Sequence, residues 1–261
     1  MQSDEKKRLG FRDPPTNITR SCLDYMGRIM ELREFVSFYF NFVKSSQEFK
    51  SHIEQSPNEA QDSELSGKAV SLTKYNFSAH RQLVNELMLS RAVESFDLYV
   101  LNILREIFAV QPEILKSNKK VDVATLLELR TPEEIIFYLA ENQLNELGYK
   151  PMTELQKWIF ERTGVDLFLN NDVFDAALLA TEVRNLIAHN DCKINDVAME
   201  RMGERYSMLE ISEMGKVKLS DDWLRKTCYT LDGIVFDFDE RIGQKFDVYQ
   251  ANRYGTFFIR E

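Results

Sequence analysis

The chain has 261 residues, of which 44% are hydrophobic and 29% are charged, as in an ordinary globular protein that is long enough to bury a core. Its formal net charge of -9 excludes a broad, non-specific binder of nucleic acid. Such proteins are normally basic, because counterion release supplies much of their affinity. An RNA enzyme remains compatible with this charge if its positive side chains are confined to one cleft.

Membrane and disulfide-rich classes are also disfavoured. No apolar run reaches the roughly 18 residues that a membrane span needs, and the first residues lack the apolar core of a signal peptide. The three cysteines, Cys22, Cys192 and Cys228, are odd in number and widely separated. This spacing argues against a disulfide framework and against cysteine-based metal sites. We therefore expect a cytoplasmic protein with no membrane association and no cofactor.

The N-terminal part of the chain predicts a leader, a helix and a loop. Residues 1–17 are polar and contain two adjacent prolines, which predicts a disordered leader. Apolar residues then recur at spacings of three and four from about 17 to 54, which predicts one long amphipathic helix. The following stretch, 55–68, is rich in Ser, Asn, Asp and Glu and is typical of a loop. We assign residues 18–68 to an N-terminal unit.

A second long helix is predicted from about 69 to 110, and the middle of the chain has clear helix boundaries. Thr131 is a typical N-cap, followed by proline at the first helical position and by two glutamates. Gly148 is expected to end that helix. Another helix is predicted from about 152 to 162, ending at Gly164.

The C-terminal part predicts more helices and one hairpin. The run Asn170-Asn171-Asp172 predicts the start of a helix, and a short helix is expected at about 197–205. Alternating apolar residues on both sides of a glycine turn predict a hairpin at about 206–219. The run Ser220-Asp221-Asp222 is expected to cap a final helix that spans about 223–246. The expected fold is all-α, a helical bundle with a small β-hairpin insertion before the last helix.

Two further segments complete the predicted organisation. We assign 69–247 to one helical domain and 248–261 to a C-terminal tail. The tail carries an apolar cluster that we expect to dock on the bundle or on a partner subunit: Tyr254, Phe257, Phe258 and Ile259.

The most informative segment reads Arg184-Asn185-Leu186-Ile187-Ala188-His189-Asn190. Arginine is a permanent cation whose planar fork matches phosphate oxygens, and histidine is the side chain that titrates closest to neutral pH. At about 100° per residue, Val183 and Leu186 face the bundle, whereas Arg184, Asn185 and His189 lie on the opposite side. An ordinary solvated helix face would have the same appearance.

This segment resembles the signature of the HEPN superfamily (higher eukaryotes and prokaryotes nucleotide-binding domains). That signature is an arginine, usually followed by Asn, His or Asp, and then a histidine after four to six residues; here four residues intervene. Upstream, the segment from Ser90 to Tyr99, with Glu94 inside it, resembles the first core helix of the superfamily. The order of loop, hairpin and terminal helix resembles bacterial, defence-associated members. The likeness covers roughly 75–247.

The resemblance implies a site and a reaction. Arg184 and His189 would be catalytic, and Asn185, Asn190 and Glu94 would support them, with Glu94 as a candidate contact for Arg184. His52 and His80 are isolated, and no cluster of carboxylates or histidines in the sequence predicts a metal site. A metal-independent route would use the 2′-hydroxyl of RNA as nucleophile and leave a 2′,3′-cyclic phosphate. DNA, which lacks that hydroxyl, is not expected to react.

The resemblance also implies a homodimer, since the nucleases of the superfamily place two motifs across a two-fold interface. Phe174 and Leu178 fall on the polar side of the motif helix, so we expect a second subunit to cover them near residues 174–190. One departure concerns regulation. Where the superfamily toxins silenced by a nucleotidyltransferase carry a modified tyrosine, this chain has Asp191, so that mode of control is not expected.

Three functions from different classes are compatible with these residues. The first is a dimeric, metal-independent endoribonuclease from a toxin or phage-defence system, with an unidentified antitoxin or defence partner. The second is a non-catalytic module that binds RNA or a nucleotide through the same face. The third is an interaction protein in which the motif only stabilises a dimer. The intact set of Arg184, Asn185 and His189 favours the first, and the acidic net charge favours the other two.

Overall fold

The computed structural model describes residues 17–55, 77–117 and 120–249. Eight α-helices lie in these ranges: α1 (Arg20–Gln55), α2 (Arg81–Val110), α3 (Val123–Glu128), α4 (Pro132–Gly148), α5 (Met152–Thr163), α6 (Asn171–Asn190), α7 (Asp196–Met202) and α8 (Asp221–Phe246). Two short strands, β1 (Glu210–Ile211) and β2 (Val217–Lys218), form the hairpin before α8. The protein is all-α with a small β-hairpin, as expected.

Several helix boundaries follow from local capping. Thr131 forms a capping box with Glu134, and the side chains of Asn170 and Ser220 accept hydrogen bonds from the first turns of α6 and α8. Gly164 ends α5 in the left-handed conformation, at φ 62°. These boundaries were predicted because each depends on residues within four positions of the helix end.

The start of α2 differs from the expectation. The helix was predicted from about residue 69, but it begins at Arg81 after a short 3₁₀ turn, Phe77–His80. The expected leader, most of the loop at 55–68 and the apolar cluster of the tail lie outside the described residues.

The central element is α2, which packs against α1, α4, α6 and α8. Its fully buried residues include Tyr99, Ile103 and Ile107. The first turns of α1 lie beside the end of α2, where the Ser21 amide donates to Glu106 over 2.7 Å. The two helices are therefore antiparallel.

The last helix runs parallel to α2. At the start of α8, Asp221 accepts from Asn85 of α2 over 3.0 Å. Towards the end of α8, Asp239 accepts from Tyr99, which lies further along α2, over 3.1 Å. Asp239 also accepts from the amide of Thr19, just before α1, over 3.0 Å. One buried carboxylate thus joins α2, α8 and the start of α1.

The hairpin is attached to the segment that follows α6. Glu210 pairs with Lys218 and Ile211 with Val217 in antiparallel register, and Gly215 has φ 75° at the turn. The Val217 amide also donates to the carbonyl of Cys192 over 2.9 Å. Because Cys192 lies two residues after the end of α6, this contact fixes the hairpin beside the end of the motif helix.

Within the described ranges, none of the helices combines the length and the apolar character that crossing a membrane requires.

Candidate functional site

The motif lies in the last two turns of α6, whose backbone is firmly held. Val183 and Leu186 are buried in the bundle core. At the end of the helix, Asp191 and Cys192 adopt left-handed backbone conformations, with φ 52° and 59°. The Cys192 amide donates back to the carbonyl of Leu186 over 3.0 Å, which satisfies one of the terminal carbonyls. The polar side chains of the motif therefore project from a fixed scaffold.

Arg184 points towards the central helix. Its Nη2 donates to Oδ2 of Asp97 over 2.8 Å. The Arg184 and Asp97 side chains are 30% and 39% exposed, so a ligand in solvent can reach the pair. Nε of Arg184 is buried and has no hydrogen-bond partner among the described residues. The guanidinium is thus oriented by one carboxylate and keeps unused donor capacity.

Asp97 has an unusual protonation equilibrium for a carboxylate beside an arginine. Burial raises the pKa of Asp97 to about 6; Arg184 opposes this change and nearby Glu94 adds to it. Asp97 was not predicted as a site residue from the sequence. A usable signal was present, because Asp97 lies four residues after Val93 and beside the buried face of α2. An acid at such a border is a candidate to pair with a cation of the neighbouring helix.

Glu94 does not contact Arg184 as expected. Its carboxylate accepts from Nη1 of Arg91 over 2.8 Å, on the same helix and one turn away. Glu94 is exposed, whereas Asp97 lies at the border with α6. Asp97 lies three residues after Glu94, so its side chain is rotated by about 300° around the helix axis. This rotation places Asp97, and not Glu94, beside Arg184.

Asn185 is directed towards the short helix α7. Its side chain is hydrogen-bonded to the carboxylate of Glu182, which also lies 3.8 Å from Nη1 of Arg201. Burial raises the pKa of Glu182, and Arg201 and Asn185 act in the opposite direction. Asn185 therefore belongs to a second polar group, separate from the Arg184–Asp97 pair.

His189 is exposed near the end of α6, and the residues after it have structural partners. Nδ2 of Asn190 donates to the carbonyl of Lys193 over 2.6 Å, which closes the turn after the helix. Asp191 pairs with Lys216 of the hairpin over 2.8 Å, and this contact lowers the pKa of Asp191. The Asp191 carboxylate is therefore engaged by a lysine, not by the histidine.

Arg184 and His189 border one exposed strip without touching. Five residues correspond to a rotation of about 140° and a rise of about 7.5 Å along an α-helix. Ala188 is exposed and Asn185 is partly exposed between them. In the described part of the chain, no hydrogen bond joins Arg184 to His189. Both side chains can face one ligand only if that ligand lies along this strip.

The apolar side chains that motivated the dimer expectation pack within the chain itself. Phe174 contacts the ring of Phe168 edge-on, with centroids 5.3 Å apart, and the guanidinium of Arg205 lies 6.0 Å from its centroid. Leu178 is only 8% exposed. Leu178 therefore needs no second subunit to bury it, whereas Phe174 stays partly exposed, and the homodimer remains a prediction.

Across the described ranges, no group of three or more His, Cys, Asp or Glu side chains could hold a metal ion. All three cysteines are buried and free. The site therefore consists of Arg184 with Asp97, the separate Asn185–Glu182 pair and the exposed His189.

In comparisons with known proteins, no family model, no curated protein and no solved structure matches the chain.

Proposed function

We propose that the protein is a HEPN-type endoribonuclease that acts without a metal ion, as a homodimer, in a toxin or phage-defence system. The main support for the proposal is the orientation of Arg184 and the exposure of His189. Arg184 is oriented by Asp97 through one nitrogen and keeps further donors, while His189 of the same helix end is exposed. An oriented cation and an accessible imidazole are the two groups that phosphodiester cleavage in RNA requires.

The proposed reaction uses the nucleophile of the RNA itself. The ribose 2′-oxygen bonds to the adjacent phosphorus, and the bond from phosphorus to the 5′-oxygen of the next nucleotide breaks. The 2′-hydroxyl loses its proton and the departing 5′-oxygen gains one. His189 manages proton transfer, and the guanidinium of Arg184 stabilises the charge that develops on the phosphate oxygens. The products are a 2′,3′-cyclic phosphate and a 5′-hydroxyl.

Asp97 acts as a positioning residue in this proposal. Asp97 accepts one hydrogen bond, from Nη2 of Arg184, and this leaves other N–H donors of the guanidinium for a phosphate. An arginine without such a partner would lose side-chain entropy on binding substrate. The contact to Asp97 reduces that cost, because part of the ordering is already complete.

The homodimer is proposed on the exposed strip of α6. Ala188 is small and exposed beside His189, so a second helix can approach closely there. Isologous dimers are the commonest oligomers. A two-fold arrangement along this strip would allow one RNA strand to meet Arg184 of one protomer and His189 of the other.

The function is tested by incubating wild type and His189→Ala with total tRNA and rRNA in the presence of a chelator. The expected result is cleavage by wild type only, with cyclic-phosphate termini. A 2′-deoxy substitution at the cleaved position should stop the reaction, and DNA should stay intact. Absence of cleavage of any RNA by wild type would contradict the proposal.

A non-catalytic RNA-binding or interaction module is the second candidate, and one observation favours it. Arg184 is engaged by Asp97 and does not contact His189, as in a purely structural ion pair. In that case wild type and His189→Ala would bind RNA equally and neither would cleave it.

A further inference from the structure

Arg28 of α1 is a cation whose nearby acids are already paired. Its Nε and Nη2 are buried and have no hydrogen-bond partner in the described part of the protein. Two carboxylates, Asp24 and Glu94, lie within electrostatic range. Asp24 lies 3.0 Å from Nε of Arg20, and Glu94 lies 2.8 Å from Nη1 of Arg91. Two of the three guanidinium nitrogens of Arg28 therefore have no acceptor among the described residues.

Arg91 makes this environment more positive. It lies close enough to Arg28 to disfavour a second positive charge there. Both acids near Arg28 are paired with another arginine, so Arg28 and Arg91 place two cations close together on a chain whose net charge is -9. An anion would supply the missing acceptor and offset the repulsion.

The Arg28 cluster is electrostatically linked to the motif. Glu94 interacts with Arg28 on one side and with Asp97 on the other. Asp97 in turn holds Arg184. A strip of charged side chains therefore crosses α2, from α1 at one edge to α6 at the other.

An exposed aromatic side chain lies on the same side of α1. Phe35 follows Arg28 by seven residues, or two helical turns, and is 60% exposed. Base stacking on aromatic rings beside basic residues is the usual mode of binding single-stranded nucleic acid. This combination favours RNA over a protein partner as the ligand of the strip.

We infer that Arg28 and Arg91 form a second phosphate-binding subsite, which holds the RNA strand at a phosphate other than the one that Arg184 contacts. The inference rests on the proposed function, since it supposes that RNA is the substrate. Arg28 turns its guanidinium outwards to make a two-pronged contact with the phosphate, and Phe35 stacks on a neighbouring base.

The test measures binding of a fluorescein-labelled oligouridylate to the His189→Ala protein over a range of salt concentrations. Each phosphate contact contributes about 0.7 to the slope of log affinity against log salt for a single strand. Arg28→Gln is expected to lower the slope by about 0.7 and weaken binding roughly tenfold at low salt. In the cleaving protein, Arg28→Gln should raise KM and leave kcat unchanged.

Two variants serve as references. Arg225→Gln removes an exposed arginine paired with Asp222 on α8 and should leave the slope unchanged. Arg28→Lys keeps the charge, so it should keep the wild-type slope and weaken binding severalfold, because a point charge does not replace a two-pronged contact. If Arg28→Gln does not fold, the affinity of Arg28→Lys for the probe is the deciding measurement. An unchanged affinity of Arg28→Lys would overturn the inference.

The remaining outcomes separate the subsite from the enzyme. If Arg184→Gln lowers the slope and Arg28→Gln does not, the subsite is overturned and the proposed function stands. If Arg28→Gln lowers the slope but no RNA is cleaved by wild type, the subsite stands and the enzyme fails. A change in oligomeric state of Arg28→Gln, without a change in slope, would show a protein contact and overturn the inference. Absence of salt-dependent binding of the probe would overturn the subsite, whereas the proposed function is decided by cleavage of tRNA and rRNA.

Discussion

Arg184 donates to Asp97 over 2.8 Å, and this contact joins residues that are 87 positions apart in the chain. It is the only ion pair of Arg184 among the described residues. The pair connects α6, which carries the motif, to α2, the central helix of the bundle. The position of the arginine is therefore set by the core and not by the motif alone.

Asp97→Asn is expected to lower the single-turnover cleavage rate by up to about 10²-fold, because a displaced catalytic group loses alignment with the substrate. Protonation of Asp97, whose pKa is about 6, weakens the same contact. The ratio of wild-type to variant rate should therefore shrink as the pH falls through about 6. Asp222→Asn is the matched control, since Asp222 is an exposed aspartate that pairs with Arg225 on α8. Equal rates for wild type and Asp97→Asn at pH 8 would rule out the positioning role.

His189→Ala is expected to lower the cleavage rate by about 10² to 10⁴, the usual contribution of a positioned acid or base. The side chain is exposed, so the melting temperature should stay within a few degrees of wild type. His80→Ala removes another exposed histidine, in the turn before α2, and should change neither quantity. A loss of folding in His189→Ala would point to a structural role for the motif.

Arg33→Met is expected to destabilise the bundle by about 3–5 kcal/mol, because it removes the arginine that pairs with the buried Asp232. Both side chains are less than a tenth exposed, and Tyr25 also donates to Asp232, over 2.9 Å. The double variant Arg33→Met/Asp232→Leu should recover most of the stability, since a buried pair replaced by apolar residues is often neutral. Denaturant unfolding of the three proteins measures this. A loss below about 1 kcal/mol in the single variant would contradict the buried pair.

The pH dependence of stability should carry a contribution from Asp239. Burial raises its pKa from the ordinary 3.8 to about 6, although Thr19 and Tyr99 donate hydrogen bonds to it. A raised pKa in the folded state means that stability is fully present below about pH 4 and is lost as the pH rises through 6. The difference corresponds to ~3 kcal/mol. Asp239→Asn removes this titration, so its unfolding free energy should vary less than that of wild type between pH 4 and 7. Parallel curves for the two proteins would show that Asp239 does not titrate there.

The sequence predicted local features well and tertiary contacts poorly. The N-caps Thr131, Asn170 and Ser220 were identified because a cap depends on a side chain and a backbone amide in the same turn. The partner of Arg184 was not identified, because α2 carries several acids and only the packing of α2 against α6 determines that Asp97 is the one in contact. Likewise, the ring of Phe174 looked exposed on a helical wheel, whereas Arg205, far along the chain, lies over it.

The bond between Thr19 and Asp239 has a consequence for the order of events during synthesis. The residue that holds the start of α1 lies 220 positions later in the chain. At about 5–20 residues per second, the ribosome needs roughly 10–40 s to make that intervening chain. The contact that holds the start of α1 therefore cannot form until α8 has been synthesised. A nascent chain would remain without a completed bundle until Asp239 had left the ribosome.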